Sequence, residues 1–406
     1  MTAAVTRHEA PAIRWVILGL IVLAQTVANI GPLGLPAIAS LIRADLGLTL
    51  AQAGSFLSAY YIGPVTMSLF AGVLADRWGT ARALVLGQAL IAVGLLAASA
   101  APTYGLFIAL MIVAGVGYGT LNPASTTAAM AWFPARQRAT VVGLKQVGLP
   151  FGGMLGAVTV PALSLVVGWR LAVAASALAI VACAVACAIV YRDPPAEVAA
   201  RRAAGGRGAI RAVLLTRDLW LVAVATGVFA AMQTVWMAYL ALYLQAVVGL
   251  SLLAASHHLA LAQGGGVLGR VAFGLLSDRV FGGRRRAPLA IAGCTSAVCS
   301  VAIAFTGPGT SPPSLAVLAL VFGFAGIGWN GVQHTLMAEL AGPGAAATAV
   351  GLGLAVSSAG VMLGPPVFGW LVQASSGYRG PWLGLAAVMA LGLGILAFVR
   401  ERRRFA

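Results

Sequence analysis

"GVLADR" at 72–77 and "GLLSDR" at 274–279 are near copies, 202 residues apart. Three further pairs keep the same order. "AGVGYG" at 114–119 returns as "AGIGWN" at 325–330, "ATVVGL" at 139–144 as "ATAVGL" at 347–352, and "GWR" at 168–170 as "GYR" at 377–379. Their offsets are 211, 208 and 209 residues. One match could be accidental, but four in register imply a duplicated unit.

Each unit is filled with apolar blocks. The chain is 61% hydrophobic and only 8% charged, against about 25% charged in soluble proteins. So few charges cannot solvate a soluble surface. Blocks of roughly 18 or more apolar residues cross about 30 Å of hydrocarbon as helices. Twelve such spans are expected, near 14–37, 52–74, 83–101, 104–130, 139–162, 170–191, 218–243, 252–277, 287–306, 314–338, 347–371 and 380–399. Lipid offers the backbone no hydrogen bonds, so each must be helical. The first is too long for a signal-peptide core and lacks a convincing cleavage site, so it is expected to stay. The polar, arginine-rich stretch 192–217 reads as a flexible linker. The expected organisation is a six-helix bundle over 1–191, this linker, and a second bundle over 218–406.

The net charge of +16 invites a nucleic-acid partner, but its distribution argues against one. With the N-terminus inside, cytoplasmic segments hold 20 of the 25 Lys and Arg. That bias places both termini in the cytoplasm, and the tail "RERRRFA" meets anionic lipid. Cys183, Cys187, Cys294 and Cys299 all fall in spans and read as packing residues. There is no nucleophile–base set, nucleotide-binding loop or metal cluster, so neither enzyme activity nor a cofactor is expected. "GGGVLGR" at 264–270 lies within a span and reads as packing.

"GVLADRWGTAR" at 72–82 resembles the loop 2–3 signature of the major facilitator superfamily, and "GLLSDRVFGGRRR" at 274–286 resembles its weaker copy between helices 8 and 9. The resemblance implies an all-α fold of two pseudo-symmetric bundles around a central cavity, with alternating access by rocking. It implies a multi-pass secondary transporter of the bacterial cytoplasmic membrane, and a functional monomer is expected. For Asp76, Arg77, Arg82, Asp278 and Arg279 it implies gating, by clamping cytoplasmic helix ends; topology signals and surface ion pairs are the alternative.

The charges inside the spans point to a substrate. Lys145, the only lysine, and Arg270 lie there with His257, His258 and His334, but no Asp or Glu sits clearly within a span. A charge at mid-membrane costs about 2.5–3.5 kcal/mol and marks a pathway or a partner. An anionic substrate would supply the partner. Both cations lie roughly 10 Å from the cytoplasmic boundary at 1.5 Å per residue, in opposite halves, so one anion could bridge them. Two alternatives stand beside this: Lys145 snorkelling to the cytoplasmic interface, and Arg270 hydrogen-bonding helix-end carbonyls or joining the loop 8–9 clamp.

Other polar residues share helical faces: Gln25 with Asn29, Gln233 with Trp236 and Tyr239, Gln263 with Arg270, and Asn330 with Gln333 and His334. The resemblance implies that helices 1, 4, 7 and 10 line the cavity, which adds Asn122. Trp236, Tyr239 and Trp329 could stack on a substrate body. Gly148, Gly152 and Gly156 form a small-residue face for close helix contact. "GGGVLGRVAFGLLSDR" looks like helix 8 of the oxalate/formate-antiporter and monocarboxylate group, where an arginine binds the carboxylate. "GLKQVGLPFGG" at 143–153 looks like helix 5 of cyanate-permease-like members. The expected function is transport of a small organic anion, coupled to a counter-anion or to protons. "GLPFGG" imperfectly resembles a drug:proton antiporter signature, which keeps hydrophobic-compound efflux open. A transporter-like membrane sensor is the lesser alternative.

Overall fold

A computed structural model describes residues 10–67, 79–133, 137–192, 207–342 and 345–401. All regular structure among them is helical. In chain order the helices are α1 (Ala10–Gly34), α2 (Ala39–Leu46), α3 (Leu50–Gly54), α4 (Phe56–Met67), α5 (Thr80–Ser99), α6 (Tyr104–Trp132), α7 (Arg138–Val167) and α8 (Trp169–Val190). After these come α9 (Arg207–Leu215), α10 (Arg217–Tyr243), α11 (Leu252–Leu275), α12 (Arg286–Ile303), α13 (Pro312–Gly326), α14 (Asn330–Ala341), α15 (Ala346–Ala374) and α16 (Arg379–Ala397).

Among the described residues, 11 helical stretches are long and apolar enough to cross a membrane. The second expected span, 52–74, is represented by α3 and α4 as far as Met67; the rest of it lies outside the described residues. Helix starts follow local chemistry. Thr49 and Gln52 form a reciprocal capping box at α3, and Ser251 caps α11 through the Ala254 N–H. Gly47 ends α2 at φ 63°, a left-handed conformation that only glycine adopts without strain.

Two expectations change. The 192–217 linker is not wholly flexible: α9 occupies Arg207–Leu215, with Val213 buried and the Leu214 carbonyl accepting from Trp220 Nε1. The tenth span is broken between α13 and α14, where "IGW" at 327–329 interrupts the ladder. The carbonyls freed there are not left bare. Trp329 Nε1 donates to Gly326 O at 3.0 Å and Asn330 Nδ2 to Ile327 O at 3.1 Å.

Glycine decides which helices approach closely. α7 lies along α1 through Gly148, Gly152 and Gly156. A methyl group on Gly148 would sit 2.9 Å from Gln25 Cβ, and one on Gly152 or Gly156 would strike the Thr26 or Ile30 carbonyl. Two seams then join the first half of the chain to the second: α7 against α11, and α3–α4 against α15.

The face where α10 begins and α16 ends, the terminal face, is tied by charge. Arg285 contacts Asp278 and Glu339, and the Glu401 carboxylate accepts from the backbone N–H groups of Arg285 and Arg286 at the start of α12. Arg286 answers by donating to Ala397 O and Val399 O at 3.1 and 2.8 Å. α12 has no capping side chain at its own N-cap, so Glu401 supplies the anion that the helix dipole favours. Glu401→Ala should speed amide exchange at 285–286 about tenfold, the loss of roughly 1–2 kcal/mol of capping. Hydrogen–deuterium exchange of a peptide covering 276–290 checks this.

Candidate functional site

Lys145 is fully enclosed, with no solvent exposure at all. It does not snorkel. Its ammonium points from α7 into α6 and donates to Asn122 O at 3.0 Å, to Thr126 Oγ1 at 2.9 Å and to Asn122 Oδ1. The Asn122 carbonyl also accepts from Ser125 Oγ and Thr126 Oγ1, at 2.8 and 3.0 Å. Gln25 Nε2 on α1 joins through Ser125 Oγ at 2.7 Å. α6 thus surrounds the ammonium with neutral acceptors, and α1 braces that cradle through Ser125. The shell meets the ammonium's hydrogen-bonding needs but leaves its charge uncompensated.

Arg270 reaches the same level of α7 from α11. Its Nη1 donates to Gln146 O at 2.6 Å, one residue along from Lys145, while its buried Nε has no partner among the described residues. The helix-carbonyl contact foreseen for Arg270 is therefore present, but its acceptor lies within α7 rather than at a helix end. Arg270 is close enough to Lys145, His334, Tyr61 and Tyr118 for its charge to act on them. The two tyrosines, on α4 and α6, went unnoticed in the sequence. An aromatic in an apolar run reads as packing, and no helical spacing links positions on different helices. Asn29 lies beside the Tyr118 hydroxyl.

Gln263, two turns before Arg270, packs over Gly153 and is buried with neither amide atom partnered among the described residues. Gln25 Oε1, Asn29 Oδ1, Gln333 Nε2 and His334 Nε2 are buried and unpartnered in the same sense. Polar residues foreseen on α10 and α13–α14 are used differently from the expectation. Gln233 Oε1 accepts from Trp329 Nε1 at 3.1 Å and from Asn330 Nδ2 at 3.2 Å, bracing the helix break. Trp236 stacks on Phe322 at 3.9 Å and donates to Ser300 Oγ. Trp329 and Tyr239 are also fully buried. None of the three rings presents a free face for stacking, because helix packing already covers them.

A family model described as Major Facilitator Superfamily matches residues 17–358. The chain belongs to the Major Facilitator Superfamily. It is a multi-pass integral membrane transporter, and the family and relatives it matches are transporters rather than enzymes. It is 28% identical to the probable sulfoacetate transporter SauU of Cupriavidus necator, over 95% of this chain and 93% of the relative. It is 27% identical to monocarboxylate transporter 13 of Bos taurus, covering 80% and 74%. It is 25% identical to the aspyridones efflux protein apdF of Emericella nidulans, covering 81% and 65%. The fold matches a bacterial homolog of the human lysosomal transporter Spinster, solved inward-facing and occupied, with a TM-score of 0.78 over 96% of this chain and 97% of that one, at 16% identity.

The superfamily signature 72–82 falls largely outside the described residues: Asp76 and Arg77 do, while Arg82 is exposed at the start of α5. In the second copy, Asp278 engages Arg285 and Arg279 is exposed, and among the described residues the partners of this charge cluster lie in the second half of the chain. Among the described residues, neutral groups also join the halves at the opposite, distal face. Ser40 Oγ donates to Gln245 Oε1 at 2.9 Å, and Ser256 Oγ to Ala37 O at 3.3 Å.

Tyr239 is a distal contact of this kind rather than a cavity ring. Its hydroxyl lies against Pro365 O at 2.8 Å and Leu50 O at 3.3 Å, and a methyl group on Gly54 or Gly369 would collide with it. Tyr239→Phe keeps the ring on Phe368 but loses about 1 kcal/mol of closure. Labelling of Ala37→Cys by an impermeant maleimide, with the four native cysteines replaced, should then accelerate about fivefold.

Proposed function

We propose that this transporter moves a small organic anion, a carboxylate or similar acid, across a bacterial cytoplasmic membrane. Bundles 1–191 and 218–406 rock about the anion, with twelve spans, both termini cytoplasmic and the 192–217 segment between them. The observation carrying this reading is a pair of buried cations without a counter-charge. Lys145 and Arg270 meet only neutral acceptors among the described residues. The described carboxylates, Asp45, Asp218, Asp278, Glu339 and Glu401, lie at or beyond helix ends.

The roles divide by geometry. Arg270 has an unspent donor and contacts the anion. Tyr61 and Tyr118 flank it. Lys145 keeps its acceptors and acts through space, where a unit charge at ~8 Å contributes about 2 kcal/mol at an effective dielectric of ~20. The relatives named for sulfoacetate and monocarboxylates support this reading, since both substrates are acids. Coupling is by anion exchange or by protons. Proton-driven efflux of hydrophobic compounds is the second reading, favoured by the aspyridones relative and by "GLPFGG", but it gives the two cations no role.

Uptake of radiolabelled mono- and dicarboxylates into proteoliposomes tests the proposal. Saturable uptake is expected, stimulated by internal unlabelled acid if the mode is exchange. Absence of acid uptake by folded protein, with proton-driven release of a hydrophobic dye, would replace it with the efflux reading.

A further inference from the structure

We propose that the ligand of this site is a hydroxylated acid, pairing its anionic group with a hydroxyl that donates to Gln263 and its neighbours. This rests on the anion reading above and specifies its substrate.

Gln263, Gln25 and Asn29 are each about 1% exposed or less, and each carries a buried amide oxygen without a partner among the described residues. An amide oxygen left unpaired in a protein interior costs about 1–3 kcal/mol, so those of Gln263 and Gln25 call for an explanation, and that of Asn29 less so because the Tyr118 hydroxyl lies beside its amide. α7 runs past all three within about 8 Å of its length. Gly148 abuts Gln25, Gly152 abuts Asn29, and Gly153 abuts the Gln263 amide. Gln146, on the same helix, accepts from Arg270.

An ionised carboxylate cannot satisfy an amide oxygen, because it only accepts hydrogen bonds and would repel it. The cations alone would suffice for a plain carboxylate. Acceptors beside them call for a second, donating group. An ammonium would donate, but Arg270 and Lys145 repel a cation there. A hydroxyl donates without charge. It can also accept, which suits Gln263, whose amide nitrogen is unpartnered as well.

Matched pairs test this with purified protein in detergent: acetate against glycolate, propionate against lactate, succinate against malate, and hexanoate against gluconate. Affinity is read by ligand-induced thermal stabilisation. Hydroxylated members should bind about tenfold or more tightly than their partners, because a site built for a hydroxyl rejects the analogue lacking it. In Gln263→Leu the gap should shrink to about threefold or less. Equal binding within every pair, with the acids bound, would overturn this inference and leave the anion reading standing. No binding of any acid would overturn both. The wild-type comparison decides even if the variant does not fold.

Discussion

Arg270→Gln loses acid binding. The substitution keeps a side chain able to donate to Gln146 O and removes the charge and the unpartnered Nε. Truncating one side of a buried charge contact costs about 2–5 kcal/mol, so affinity should fall at least ~30-fold, and uptake should fall to the level of empty liposomes. Arg270→Lys should recover only part of this, since a point charge lacks the planar fork that grips a carboxylate. Thermal stabilisation by the acid, measured on both variants, checks the order wild type, Lys, Gln. Unchanged binding in Arg270→Gln would remove the guanidinium from the site.

Lys145→Met should weaken acid binding without abolishing it. The ammonium is engaged by α6 and touches the ligand only through its field, so the loss is about 2 kcal/mol, or roughly 30-fold. The Asn122 oxygens would lose a charged donor, so a lower melting temperature of the empty protein is also expected. Lys145→Arg separates the two effects. It keeps the charge but cannot reproduce the compact three-acceptor shell, so stability should fall more than affinity. The check is a paired measurement of melting temperature and acid affinity in each variant. Loss of all measurable acid binding in Lys145→Met, with the protein folded, would mean that both cations touch the anion.

The superfamily, the helical class and the shared level of the two cations could be read from the chain because each is a one-dimensional signal: apolar blocks, a repeat at constant offset, a charge at a counted position. The surroundings of the cations could not be read that way. Asn122 was flagged by its helix, but Thr126 and Ser125, which complete its cradle, look like ordinary small residues. Tyr61 and Tyr118, on two other helices, lie within reach of the Arg270 charge. "AGIGWN" was recognised as a repeat element, yet glycines there fit close packing and a helix break equally well. Only the Trp329 and Asn330 bonds back to the freed carbonyls distinguish the two. The same limit applies to Tyr239, whose spacing with Gln233 placed it on a cavity face until the distal contact of its hydroxyl was seen. At the terminal face, Glu401 and Arg285 are 116 residues apart, and no local pattern pairs them.

The central claim is that ligand charge answers the buried cations. It is tested most directly by comparing each acid with its uncharged primary amide: acetate with acetamide, lactate with lactamide, succinate with succinamide. Binding to the purified wild-type protein is read by thermal stabilisation. The account predicts that at least one acid binds about 100-fold or more tightly than its amide, the two cations together contributing several kcal/mol. Equal binding of acid and amide in every pair that binds would contradict it.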